Sequence, residues 1–216
     1  ERQIKSYADL KDLKMKKVFT ERGVSASVEL TKRPSGRQLL SIVEDGDTIM
    51  LDVGTYTNNL SIDNKDFTLT SLYSVTNENI HITNTTLNGG GDGTVITITN
   101  SDVNIAGMRI LNGNSNTGGG IRTENSIINL DHVSISENNA LEEGAGGGFH
   151  LLSSTAHLEN VTISGNTGSN GGGIYSEGSE ITIHNSIIWE NYPEEISVGG
   201  GYLSTLFISH ADNKFF

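Results

Sequence analysis

Three glycine triplets divide the second half of this 216-residue chain into like units. Gly118-Gly119-Gly120-Ile121 returns as Gly146-Gly147-Gly148-Phe149 and as Gly171-Gly172-Gly173-Ile174, at spacings of 28 and 25 residues. A second block follows each triplet. Ile128-Asn129-Leu130-Asp131-His132-Val133-Ser134-Ile135 aligns with Ala156-His157-Leu158-Glu159-Asn160-Val161-Thr162-Ile163 and with Ile181-Thr182-Ile183-His184-Asn185-Ser186-Ile187-Ile188. Upstream, the segment from Val103 to Ile110 fits the same frame. The anchors Ile105, Leu130, Leu158 and Ile183 stand 25, 28 and 25 residues apart, so the changes in length fall between the repeated segments, in loops. A chain of this kind builds a stack in which each unit contacts only its neighbours.

Within a unit the period is two. Leu158, Val161 and Ile163 are apolar, with Asn160 and Thr162 among them, which is the pattern of a short half-buried strand. Helical periodicity is not seen after Ile49, and Thr, Ile and Val dominate, as strands favour. About 25 residues per unit is too few for a four-stranded propeller blade of about 40. The strand–helix alternation of a leucine-rich repeat is missing, and a sandwich would not repeat its sequence in register. The remaining architecture is a parallel β-solenoid, one unit per coil, each coil about 4.8 Å above the last. Two columns, Ile105/Leu130/Leu158/Ile183 and Ile110/Ile135/Ile163/Ile188, are expected in its core. Asn138, Asn166 and Asn191 each fall three residues after an aligned Ile and are predicted to stack as a structural column at one corner. The glycine triplets would serve another corner, where positive φ and close backbone approach are needed.

Charge separates a short first segment from the rest. Residues 1–40 hold ten Lys and Arg against five Asp and Glu, a net of +5; residues 41–216 hold four against 21, a net of −17. Such a body does not bind nucleic acid by neutralising phosphates. No apolar run approaches the ~18 residues of a membrane span, so no membrane insertion by this chain is expected. The absence of Cys excludes disulfides, thiolate metal sites and a cysteine nucleophile. Residues 1–35 are expected to form a basic N-terminal cap, with Ile4, Tyr7, Ala8, Met15, Val18 and Phe19 on one helical face and a strand from Val24 to Leu30. The solenoid is expected over 36–201. Residues 202–216 lose the repeat and read as a tail over the last coil or the start of a further coil. The predicted assembly is a monomer or a part of a longer chain.

Gly46-Asp47-Thr48-Ile49 followed by Val53-Gly54-Thr55-Tyr56 resembles the opening of pectin-lyase-like right-handed parallel β-helices, with Val53 in place of the usual proline. Asn88-Gly89-Gly90-Gly91-Asp92-Gly93 and the glycine-triplet repeats are similar to secreted bacterial β-helix repeat proteins, the polymorphic outer-membrane group among them. The resemblance covers residues 36–192. It implies an all-β, right-handed parallel β-helix of about six or seven coils, with residues 36–45 forming a short capping helix. It also implies a location outside the cell or on the bacterial outer surface. Function is left open, because the superfamily holds lyases, hydrolases, tailspikes and adhesins.

Chemistry-bearing motifs are few. There is no Walker A sequence and no HExxH, and Gly89–Gly93 reads as a turn, lacking a following Lys and helix. A polyuronate lyase of the pectate-lyase type would use an Arg as base, and only Arg109 and Arg122 lie in the coils, in different parts of the repeat. Asp131 and Glu159 share a column and form a weak carboxylate pair, for general acid–base work or for Ca²⁺; no other cofactor and no metal site is expected. Arg122, His150 and Tyr175 each follow the first core residue after a glycine triplet, so they should point outward from successive coils as a glycan-contact row. The expectation is a non-enzymatic secreted or cell-surface scaffold, adhesin-like, whose partner is a polysaccharide or cell-surface glycan. The alternative is a polysaccharide-acting lyase or glycoside hydrolase.

Overall fold

The computed structural model describes residues 14–17, 42–57, 59–199 and 204–209. The chain climbs through parallel rungs. The first coil holds β1 (Asp47–Leu51), β2 (Gly54–Thr57) and β3 (Leu60–Asp63). The second holds β4 (Phe67–Ser71), two short helices α1 (Tyr73–Thr76) and α2 (Asn79–Asn84), then β5 (Thr85–Asn88) and β6 (Ile96–Thr99). β7 (Asp102–Leu111), β8 (Asn114–Thr117) and β9 (Ile121–Glu124) make the third, and β10 (Ile127–Ser136), β11 (Asn139–Ala145) and β12 (Phe149–Leu152) the fourth. β13 (Thr155–Glu159), β14 (Thr162–Ser164) and β15 (Ile174–Glu177) follow, then β16 (Glu180–His184), β17 (Ile187–Trp189) and β18 (Ile196–Val198), and β19 (Thr205–Ser209) opens another coil.

Every named strand pairing is parallel and joins one coil to the next. One sheet orders as β1-β4-β7-β10-β13-β16-β19, another as β3-β6-β9-β12-β15-β18, and β2, β5, the second halves of β7 and β10, β14 and β17 form a third face. The stack makes about five turns. That is slightly fewer than the six or seven coils expected. All-β parallel stacking is thus the observed architecture, and no helix among the described residues is long and apolar enough to cross a membrane.

Alternation places the core inside. Leu69, Ile105, Leu130, Leu158 and Ile183 are in register on the first face, and Leu87, Ile110, Ile135, Ile163 and Ile188 on the third. Ile96, Ile121, Phe149 and Ile174 line the remaining face, all fully buried. Each such side chain contributes roughly 1.5–3 kcal/mol by leaving water. Because register is unbroken, one apolar residue per coil is covered above and below by its own equivalents.

Sharp corners need residues that tolerate left-handed backbone. Asn100, Asn125 and Ser153 occupy one corner column at φ near +50°, and Gly107, His132, Asn160 and Asn185 a second. Gly118, Gly146 and Gly171 also have positive φ, as the triplets predicted, and a Cβ on Gly147 would stand 2.2 Å from the Thr167 carbonyl oxygen. The triplets therefore let successive coils approach where any side chain would hold them apart.

Two parts differ from expectation. The helices α1 and α2 lie where no helical pattern was seen. They form an insertion between β4 and β5, held by packing rather than by a periodic face: Tyr73 is buried over Gly107, and His81 is buried on α2. Residues 14–17 carry no regular structure. Lys16 there binds Glu44 (2.6 Å) and Asp47 (2.8 Å), tying the basic segment to the first coil. Of the expected capping helix only Ile42 is described as helical; the remainder of the N-terminal segment, 36–41 included, and the end of the tail lie outside the described residues.

Candidate functional site

The glycine-triplet strands bring Arg122, His150 and Tyr175 into consecutive rungs, with Thr97 before them and Ser197 after. Their neighbours Ile121, Phe149 and Ile174 point inward, so this row faces out. The three are not equally presented. His150 is only 7% exposed, its ring stacked on Tyr175 at 5.3 Å and 9°. Arg122 turns along its own strand to Glu124, Nη2 to Oε2 at 2.9 Å. Burial, reinforced by the Arg122 charge, pushes the His150 pKa down to about 4, so the imidazole is neutral at pH 7. His150 Nδ1 and Arg122 Nε are buried without a hydrogen-bond partner. The row is half-sunk: the imidazole and phenol stack on each other, His150 is buried, and Arg122 and Tyr175 stay partly exposed.

The carboxylate pair is also in register. Asp131 and Glu159 face out from adjacent rungs, with Ala106 before and His184 after, and both are exposed. Asp131 has more company than its column shows. Its Oδ1 accepts from Asn160 Nδ2 at 3.1 Å and lies 2.6 Å from His132 Nδ1. The His132 ring rests against Tyr73 at 4.7 Å, and the phenol's pKa is raised by burial and by the Asp131 charge. A carboxylate on Nδ1 orients an imidazole and leaves Nε2 as the basic atom. This cluster escaped the sequence reading because His132 occupies a corner and Tyr73 comes from the insertion. Among the described residues no three His, Asp or Glu gather as a metal site.

The asparagine column is an internal ladder. Asn138 Nδ2 donates to Asn166 Oδ1 at 3.0 Å, and Asn166 Nδ2 to Asn191 Oδ1 at 2.9 Å. The same oxygens accept the backbone N–H groups of Asn138 and Asn166 at 3.0 Å. Glu195 ends the ladder, its Oε2 2.5 Å from Asn191 Nδ2, and Gly113 begins it by donating its N–H to Asn138 Oδ1. A serine ladder went unnoticed. Ser126, Ser154 and Ser179 each accept the N–H of the equivalent residue one coil earlier and donate to the carbonyl two residues before. Its signal was legible: Ser101, Ser126, Ser154 and Ser179 recur at the anchor spacings of 25, 28 and 25. Both ladders are structural.

Scans against family models, curated proteins and solved structures found no match.

Proposed function

We propose that the chain is a secreted or cell-surface scaffold of the pectin-lyase-like β-helix type, a rigid rod that contacts a neutral or cationic glycan without cleaving it. The observation that carries this reading is the register of the outward row, Arg122, His150 and Tyr175 on successive rungs. Sugar units of an extended chain can meet side chains that recur every ~4.8 Å. The Tyr175 ring edge and the Arg122 guanidinium supply stacking and cation contacts. The acidic body disfavours polyanions unless Ca²⁺ bridges them. Each contact is modest, so the affinity expected for a short glycan is micromolar or weaker. A glycan array probed with the wild-type protein and with the Arg122→Ala/His150→Ala/Tyr175→Ala variant tests this; equal binding by the two removes the row from the contact.

The 2.6 Å contact between Asp131 and His132 favours one second reading, a polysaccharide-acting lyase or hydrolase. There His132 Nε2 would take a proton and Tyr73 would lie beside it. Incubation with a polysaccharide panel plus Ca²⁺, followed by unsaturated-uronate absorbance and reducing ends, separates the two. Turnover abolished by His132→Ala overturns the scaffold reading, and silence across the panel supports it.

A further inference from the structure

Trp189 is 47% exposed and Tyr192 71%, one on each side of Asn191, whose own side chain turns inward to the ladder. Register places each at the end of an outward column. Trp189 continues Asn88, Leu111, Ser136 and Ser164, of which Leu111 is covered; Tyr192 continues Asn114, Asn139 and Thr167. At the other end of these two columns the surface sinks into a shallow concavity of about 540 Å³, lined by Asn88, Asn112, Asn114 and Asn139. Gly91, at its rim, faces open space and adds no side chain. Asn139 Nδ2 donates to Asn114 Oδ1 at 3.0 Å, which leaves Asn114 Nδ2 and Asn139 Oδ1 to meet a ligand. Tyr192 stands two rungs from Asn139 and three from Asn114, about 10–14 Å. Exposed Glu137 and Glu190 border the same corner.

We propose that this corner is a glycan track for a short neutral pyranose chain. One sugar's C–H face lies on Trp189 and Tyr192, and the hydroxyls of the sugars beyond it are held by Ser164, Thr167 and the asparagine-lined concavity. The aromatic pair supplies apolar area and the amides supply paired donors and acceptors, the mixture that fixes an uncharged polyhydroxyl ligand. Glu137 and Glu190 accept hydrogen bonds from hydroxyls and repel uronates. The proposal rests on the glycan-contact reading and adds to it a second subsite, separate from the Arg122 row.

Trp189 is the chain's sole tryptophan, so occupancy of the track reads directly in its emission. The probes are cellohexaose and N-acetylchitohexaose, with hexagalacturonate as the anionic control, titrated by fluorescence and by calorimetry. At least one neutral probe should bind and shift the emission. Trp189→Ala/Tyr192→Ala should weaken that probe at least tenfold with the melting temperature retained, while Trp189→Phe should weaken it only a few-fold. Binding without an emission change, or binding untouched by the double variant, overturns the track and leaves the glycan reading standing on the Arg122 row. Binding of neither probe overturns the track, and the array then decides the reading separately.

Discussion

Asn166 is fully buried, and its amide answers five polar groups at once. It accepts from the N–H and Nδ2 of Asn138 and donates to Asn191 Oδ1 and to the carbonyls of Ile135 and Ser164. Alanine there strands partners that water cannot reach, so Asn166→Ala should destabilise by about 1–3 kcal/mol. Asn170 is exposed and takes part through its carbonyl, which alanine keeps, so Asn170→Ala should stay within about 0.5 kcal/mol. Equal denaturant midpoints for the two would show that the column does not act as a ladder. His150 makes a pH argument at the same scale. The unfolded imidazole gains its proton near pH 6.5 and the folded one only near 4. Between those values the unfolded chain binds the extra proton, so stability falls as pH drops from 6.5 towards 4, by up to about 3 kcal/mol. His150→Phe should keep the stack on Tyr175 and lose this component. Parallel stability–pH curves for the two proteins from pH 7 to 4 would refute it.

At the scale of elements, the insertion α1–α2 decides what the first face presents near Asp131. Ser71 Oγ donates to the Gly107 carbonyl and accepts the Tyr73 N–H at 3.1 Å, which seats Tyr73 over Gly107. A Cβ on Gly107 would stand 2.6 Å from Tyr73 Cβ, and its φ is +68°. Gly107→Ala should therefore both strain the backbone and lift the insertion, at a cost of about 2 kcal/mol or more. The Tyr73–His132 contact should loosen with it, seen as a changed His132 imidazole shift by NMR. An unchanged imidazole signal would mean that the insertion and the corner are independent. Helix propensity could not have located this element, since two helices of four and six residues are too short to fold without the sheet beneath them.

Over the whole molecule, each coil is stabilised by the coils above and below it. The middle rungs have both neighbours and fully buried Ile105, Ile110, Ile135 and Ile163. At the far end Leu206 and Ile208 continue columns in which Ile181 and Ile183 are buried, yet they are 38% and 43% exposed. Amide exchange should accordingly be slowest in β7, β10 and β14 and fastest in β19, with a gradient between them. Uniform protection along the stack would point instead to a single cooperative unit.

Fold class was legible because the anchor spacing, the period-two strands and the glycine triplets all demand one stack, and both core columns could be written down from residue numbers. The asparagine ladder was legible for the same reason, since a column is a fixed offset from an anchor. What escaped depends on groups that do not share an offset. His132 meets Asp131 and Tyr73 because a left-handed corner turns it towards an insertion from two coils below, past side-chain-free Gly107. Glu195 closes the ladder from a loop four residues beyond Asn191. Trp189 and Tyr192 share columns with the asparagine-lined concavity only through register accumulated over several coils. The aligned repeats also concealed how deeply His150 sits, because alternation tells which way a side chain points, while neighbouring rungs decide how much of it water still touches.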